Sequence, residues 1–163
     1  MRILGIDPGL ATLGYGLIEI NDDGSRIVAK GALKTPAADP EVWRVRQVYT
    51  WASESVARWL PDAVALERPN INKNSPLFFN AVPLGMAYGA LAVAFAGQDL
   101  HEYQASQIKL AVAGHGKAKK PQVRQAVALY FGLDELKGID DAIDGVAIAL
   151  THWRYLRREG IPA

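Results

Sequence analysis

Cysteine is absent from all 163 residues. Disulfides and thiolate metal sites are therefore excluded, and a reducing compartment fits. A secretory signal is not expected either, because Asp7 and Pro8 interrupt the apolar run that follows Met1. Acidic residues are missing from two long stretches, Arg68 to Gln98 and Tyr103 to Leu133. Arg68 and Lys73 lie in the first, and Lys109, Lys117, Lys119, Lys120 and Arg124 in the second. The net charge of +1 does not by itself indicate a nucleic-acid partner. The exclusion of acids nonetheless creates local basic surface on a near-neutral chain, although a solvated lysine face explains any one of these lysines taken singly. Asn74 to Gln98 carries no charge at all. That is long enough to span a bilayer, but Asn80, Pro83 and several Gly and Ala make it a buried helix rather than a membrane span. Repeats, low-complexity tracts and linkers are lacking, and the length suits one domain, 1–163, with a real core.

What is present is organised around Met1 to Gly16. Ile3 to Ile6 has the character of a buried strand and ends on Asp7, followed by the turn formers Pro8 and Gly9. Leu13 to Ile20 completes a hairpin, and Arg26 to Thr35 is a third strand, so an antiparallel meander is expected at one edge of a mixed sheet. Glu41 to Leu60 is a helix with Val42, Val45, Val48, Trp51 and Ala52 at near-helical spacing. Ala63 to Leu66 is a short apolar strand that again ends on a carboxylate, Glu67. Further along come a helix over Leu77 to Ala96, a strand over Leu100 to Tyr103, and helices over Ala105 to Val112, Lys119 to Phe131 and Asp140 to Arg158. In the last of these Ile143, Val146, Ala147, Leu150 and Trp153 face inward.

Asp7 by itself has two readings, a turn cap or a functional acid that needs a partner. Glu67 bears on the choice. If both strands are parallel and joined by a crossover helix, their C-termini share an edge, where ligand sites concentrate. Asp141 and Asp144 then lie on one face of the first turn of the last helix. Capping and the helix dipole account for one or two acids there. They do not account for Asp144 within an apolar run that has no lysine four residues on. Four clustered carboxylates need protons or cations, and all-oxygen donors select a hard ion, Mg2+ or Mn2+. Two such ions, roughly 3.5–4 Å apart, suit phosphodiester hydrolysis. Flanking basic segments suit a nucleic-acid substrate.

Several motifs in order extend this reading: Gly5-Ile6-Asp7-Pro8-Gly9 with Gly14-Tyr15-Gly16, Ala65-Leu66-Glu67, and His101-Glu102-Tyr103 leading to Lys109. They continue with Gly114-His115-Gly116 leading to Lys120, and Asp141-Ala142-Ile143-Asp144 followed by Ala147 to His152. Together they resemble the RuvC family of Holliday junction resolvases, within the RNase H-like superfamily. The likeness covers nearly the whole chain. It implies an α/β fold with an RNase H-like mixed five-stranded sheet, an antiparallel meander plus parallel strands, and helices on both faces. It also implies a cytoplasmic homodimer that binds a four-way DNA junction, nicks two strands of like polarity, and works with RuvA and RuvB. By match, Asp7, Glu67, Asp141 and Asp144 are catalytic, metal-binding carboxylates, with Asp140 as an alternative to Asp141. Lys109 and Lys120 are basic positions near the scissile phosphate. Lys117, Lys119, Arg68, Asn70 and Lys73 are further candidate DNA contacts.

One departure stands out. The family usually carries an aromatic residue shortly after the catalytic glutamate. Here Glu67 is followed by Arg68-Pro69-Asn70-Ile71-Asn72-Lys73, and the first aromatics are Phe78 and Phe79. For the two-fold interface that a dimer requires, Leu77 to Ala96 is the candidate, since Gly85 and Gly89 permit close approach. Burial against its own sheet is the competing account, and Glu at Ala87 or Ala94 separates the two. Other functions consistent with the residues are an RNase H-fold nuclease on other structured nucleic acid, a non-catalytic junction-binding protein and, last, an actin-like ATPase.

Overall fold

The computed structural model describes residues 1–69 and 81–158. Five strands form one sheet: β1 (Arg2–Asp7), β2 (Thr12–Asn21), β3 (Gly24–Lys34), β4 (Ala63–Glu67) and β5 (Leu100–Tyr103). Their spatial order is β3-β2-β1-β4-β5. The hairpins pair β1 with β2 and β2 with β3 antiparallel, whereas β1 with β4 and β4 with β5 are parallel. The helix α1 (Glu41–Trp59) makes the crossover from the meander to β4, as parallel pairing requires. This is the expected mixed sheet, with β1 at its centre.

Side chains alternate across a strand, and the sheet uses that to build two cores. Leu4 and Ile6 of β1 and Val64 and Leu66 of β4 point to one face. There they meet Val48 and Ala52 of α1, and Ala87 and Leu91 of α2 (Ala81–Ala94). Ile3 and Ala65 point to the other face. They pack under α3 (Ala105–Ala113), α4 (Lys120–Tyr130) and α5 (Asp140–Arg158). By the same alternation Asp7 and Glu67 emerge on the α5 side. The helix α5 is the central one, buried at nearly every position from Ala142 to Trp153. Among the described residues no helix is long and apolar enough to cross a membrane.

Two sequence expectations need correction. Val42 is 72% exposed rather than inward, because the buried stripe of α1 begins a turn and a half later at Val48. Ala87 is fully buried against the sheet, so a Glu there would break the core rather than probe an interface. The open side of α2 carries Val82 and Val93, both largely exposed, and Gly85 and Gly89, where an added Cβ would meet nothing within 4 Å.

Candidate active site

The site is assembled by close backbone packing. A Cβ on Gly5 would lie 2.2 Å from the carbonyl oxygen of Gly145, and one on Gly16 would lie 2.4 Å from the backbone nitrogen of Val146. Only glycine lets α5 sit this low on β1 and β2. The N-terminal turn of α5, with Asp141 and Asp144, is thereby pressed onto the end of β1. In the parallel β1–β4 ladder Ile6 pairs with Leu66, so the residues that follow them, Asp7 and Glu67, leave the sheet side by side.

Asp7, Glu67 and Asp144 line one cleft of about 240 Å³ together with Lys109 and Lys120. Ala105, Ile108, Val123 and Ala147 form its apolar walls. The Asp7 carboxyl is pushed up to about 7. Burial is the largest cause, followed by the charges of Glu67, Asp144 and Asp141, with Lys120 opposing them. Glu67 is raised as well, by burial and by Asp144, against the lowering influence of Lys109 and Lys120. These mutual effects place all four carboxylates within electrostatic reach, although Asp141 stands outside the cleft lining. Lys120 Nζ donates a hydrogen bond to Asp144 Oδ2 at 3.0 Å, which raises the lysine. The partner that Asp144 lacks along its own helix thus comes from α4.

The other candidates fall around this centre. Asp140 is exposed and pairs with Arg124. Arg68 lines an adjoining hollow with Pro69, Gln104, Ser106, Lys109 and Gly116, and its guanidinium lies 3.9 Å from Glu102. Lys117 and Lys119 are exposed on the approach to α4 and line neither recess. Asn70, Ile71, Lys73, Phe78 and Phe79 lie outside the described residues.

Three oxygen-donor acids in the cleft, with Asp141 in electrostatic reach, outnumber the two lysines and make the donor set that a hard divalent cation fits. A different set occurs elsewhere: one ligand atom from each of Asp99, His101 and His152, all within 4.8 Å of one another. Both histidines lie within the motifs given above without a role of their own, and Asp99 lies just outside them. No local spacing signals that a strand residue and a helix residue about fifty positions apart will meet.

The sequence matches the family model for crossover junction endodeoxyribonuclease RuvC over residues 3–152. It is 42% identical over 154 residues to the crossover junction endodeoxyribonuclease RuvC of Chloroflexus aurantiacus, covering 93% of this chain and 92% of that protein. A solved Thermus thermophilus RuvC structure superposes with a TM-score of 0.85 at 34% identity, covering 98% of this chain and 97% of that one. T. thermophilus RuvC in complex with a Holliday junction substrate superposes with a TM-score of 0.83 at 31% identity, covering 99% and 98%. With sequence and fold in agreement over nearly their full lengths, the chain belongs to the RuvC family of crossover junction endodeoxyribonucleases.

Proposed function

We propose that this chain is a structure-selective endonuclease that resolves four-way DNA junctions by paired nicks, acting as one nuclease domain in a cytoplasmic homodimer. The observation that carries this reading is the cleft lined together by Asp7, Glu67, Asp144, Lys109 and Lys120, in a chain of the RuvC family.

Asp7, Glu67, Asp141 and Asp144 are the residues to hold two divalent ions, Mg2+ or Mn2+. When bound, such ions supply activation of a water and stabilisation of the leaving oxygen. The protein's own groups do the rest. Asp7 and Glu67 are fixed by the β1–β4 ladder and Asp144 by α5, so the donors are pre-organised and lose little freedom on loading. Lys120, hydrogen-bonded to Asp144 at 3.0 Å, is within the cleft to meet a phosphate oxygen. Lys109 on α3 contributes positive charge to the same cleft. Arg68, Lys117 and Lys119, outside the cleft, hold the DNA backbone and set affinity rather than chemistry. RuvA and RuvB are the partners expected on the same junction.

The test is cleavage of an end-labelled four-way junction beside a linear duplex of equal length, in Mg2+, Mn2+ or EDTA, using wild type and Asp7→Asn. Paired, metal-dependent nicks on opposing strands, lost in the variant, are expected. Equal cutting of duplex and junction would instead identify a general RNase H-fold nuclease, and tight binding without cutting would identify a junction-binding protein.

A further inference from the structure

His152 lies on the buried side of α5, 1% exposed. Its Nδ1 is 2.8 Å from the Tyr103 hydroxyl oxygen, a buried contact. Its Nε2 is buried and has no hydrogen-bond partner. A ring nitrogen sealed from water without a partner is rare in a folded protein and calls for an explanation. The His101 ring lies against it, with centroids 4.1 Å apart and planes inclined by 31°, and His101 Nε2 is likewise buried without a hydrogen bond. Asp99 Oδ1 stands 2.9 Å from that nitrogen, close but without hydrogen-bond geometry. Two imidazole nitrogens without hydrogen-bond partners and one carboxylate oxygen thus lie within 4.8 Å of one another.

We infer that Asp99, His101 and His152 form a binding site for one transition-metal ion of the Zn2+ class, separate from the carboxylate cleft. Two imidazoles and a carboxylate, with a fourth position left to water, are a donor set for zinc and its neighbours, whereas the all-oxygen cleft suits Mg2+ or Mn2+. Tyr103 supplies the outer support: in the Nδ1–H tautomer of His152, the one that zinc binding requires, the Tyr103 hydroxyl oxygen accepts from Nδ1–H and the Nε2 lone pair is left for the ion. Ligand atoms around a tetrahedral zinc lie about 3.3 Å apart, the three here lie within 4.8 Å of one another, and Asp99 is exposed enough to adjust.

The position defines the role. Asp99 immediately precedes β5, the edge strand of the sheet, and His101 lies on it. His152 is eight residues beyond Asp144 on α5, about 12 Å along the helix at 1.5 Å per residue. An ion here staples the sheet edge to the central helix without entering the cleft.

The test uses the full chain, uniformly 15N-labelled and stripped with chelator, titrated with ZnCl2 while the imidazole nitrogens are followed by long-range 1H–15N correlation. The sequence has three histidines, so exposed His115 serves as the internal control. One molar equivalent of Zn2+ should shift Nε2 of His101 and His152 and leave His115 in place, whereas excess Mg2+ should shift none of them. His101→Ala and Asp99→Asn, at incompletely buried positions that tolerate change, should each weaken zinc binding by at least about tenfold, and Asp144→Asn should retain it. Unmoved His101 and His152 resonances under excess Zn2+ would overturn the inference. So would zinc binding that survives His101→Ala but disappears in Asp144→Asn, since the ion would then belong to the carboxylate cleft.

Discussion

Gly14 and Asp141 meet backbone to backbone: a Cβ on Gly14 would fall 2.0 Å from the carbonyl oxygen of Asp141. The pairing Asp7↔Gly14 in the β1–β2 hairpin puts this glycine beside the first acid as well. One hydrogen-sized side chain therefore sets the distance between the strand that carries Asp7 and the helix turn that carries Asp141 and Asp144. Gly14→Ala should lower stability by about 1–3 kcal/mol, the usual cost of overpacking. Junction cleavage should fall further than the loss of folded protein accounts for. Thermal melts paired with cleavage rates normalised to folded protein check this, and an unchanged rate at the same melting temperature would refute it.

Asp7 makes a prediction about pH in the absence of metal. The unfolded chain releases this proton near pH 4, whereas the folded chain holds it up to about pH 7. Between those values the folded state binds more protons, so its stability declines as pH rises and levels off above 7. In EDTA at pH 8, Asp7→Asn should therefore be more stable than wild type, by an amount on the order of 4 kcal/mol. Below pH 4 the difference should vanish. Added Mg2+ should raise the melting temperature of wild type more than that of the variant. Differential scanning calorimetry across pH, with and without Mg2+, measures all three.

The lysines should separate by function. Lys120 touches Asp144 inside the cleft, whereas Lys117 and Lys119 are exposed outside it. Lys120→Ala should cut single-turnover cleavage at saturating protein by about 10²-fold, with little change in junction affinity. The pair Lys117→Ala and Lys119→Ala should weaken binding and lower the salt slope by about 0.9 for each DNA phosphate left without its lysine. Cleavage at saturation should be unaffected in that pair. Binding isotherms at several salt concentrations, beside single-turnover kinetics, resolve the two effects.

For the proposed homodimer, the informative substitutions lie on the open side of α2. Val93, 67% exposed on that side, should accept Glu with a near-normal melting temperature while shifting the sedimentation profile from dimer to monomer. Ala87→Glu places an unpaired charge in the core and should unfold the protein at a cost of several kcal/mol. A Val93→Glu protein that sediments unchanged would remove this face of α2 from the interface.

Much of this architecture follows from local patterns. The five strands and the long helices could be placed from apolar runs and 3.6-residue spacing, because each element must hide one stripe or both faces from water whatever it packs against. The acids at the ends of β1 and β4 stood out for the same reason, as charges at the tips of buried runs. Asp144 stood out as a charge inside an apolar helix.

What the chain does not declare locally is who meets whom. That Lys120 neutralises Asp144, that α5 rests on glycines of β1 and β2, and that Ala87 belongs to the core depend on how the layers stack. So does the meeting of His101 with His152 and Asp99. Stacking is settled by shape and backbone approach summed over the whole molecule, and pairings between residues far apart in the chain leave no periodic trace in the sequence. The chemistry of the acids could be read residue by residue; the cleft that gathers them exists only once α5 has settled on the sheet.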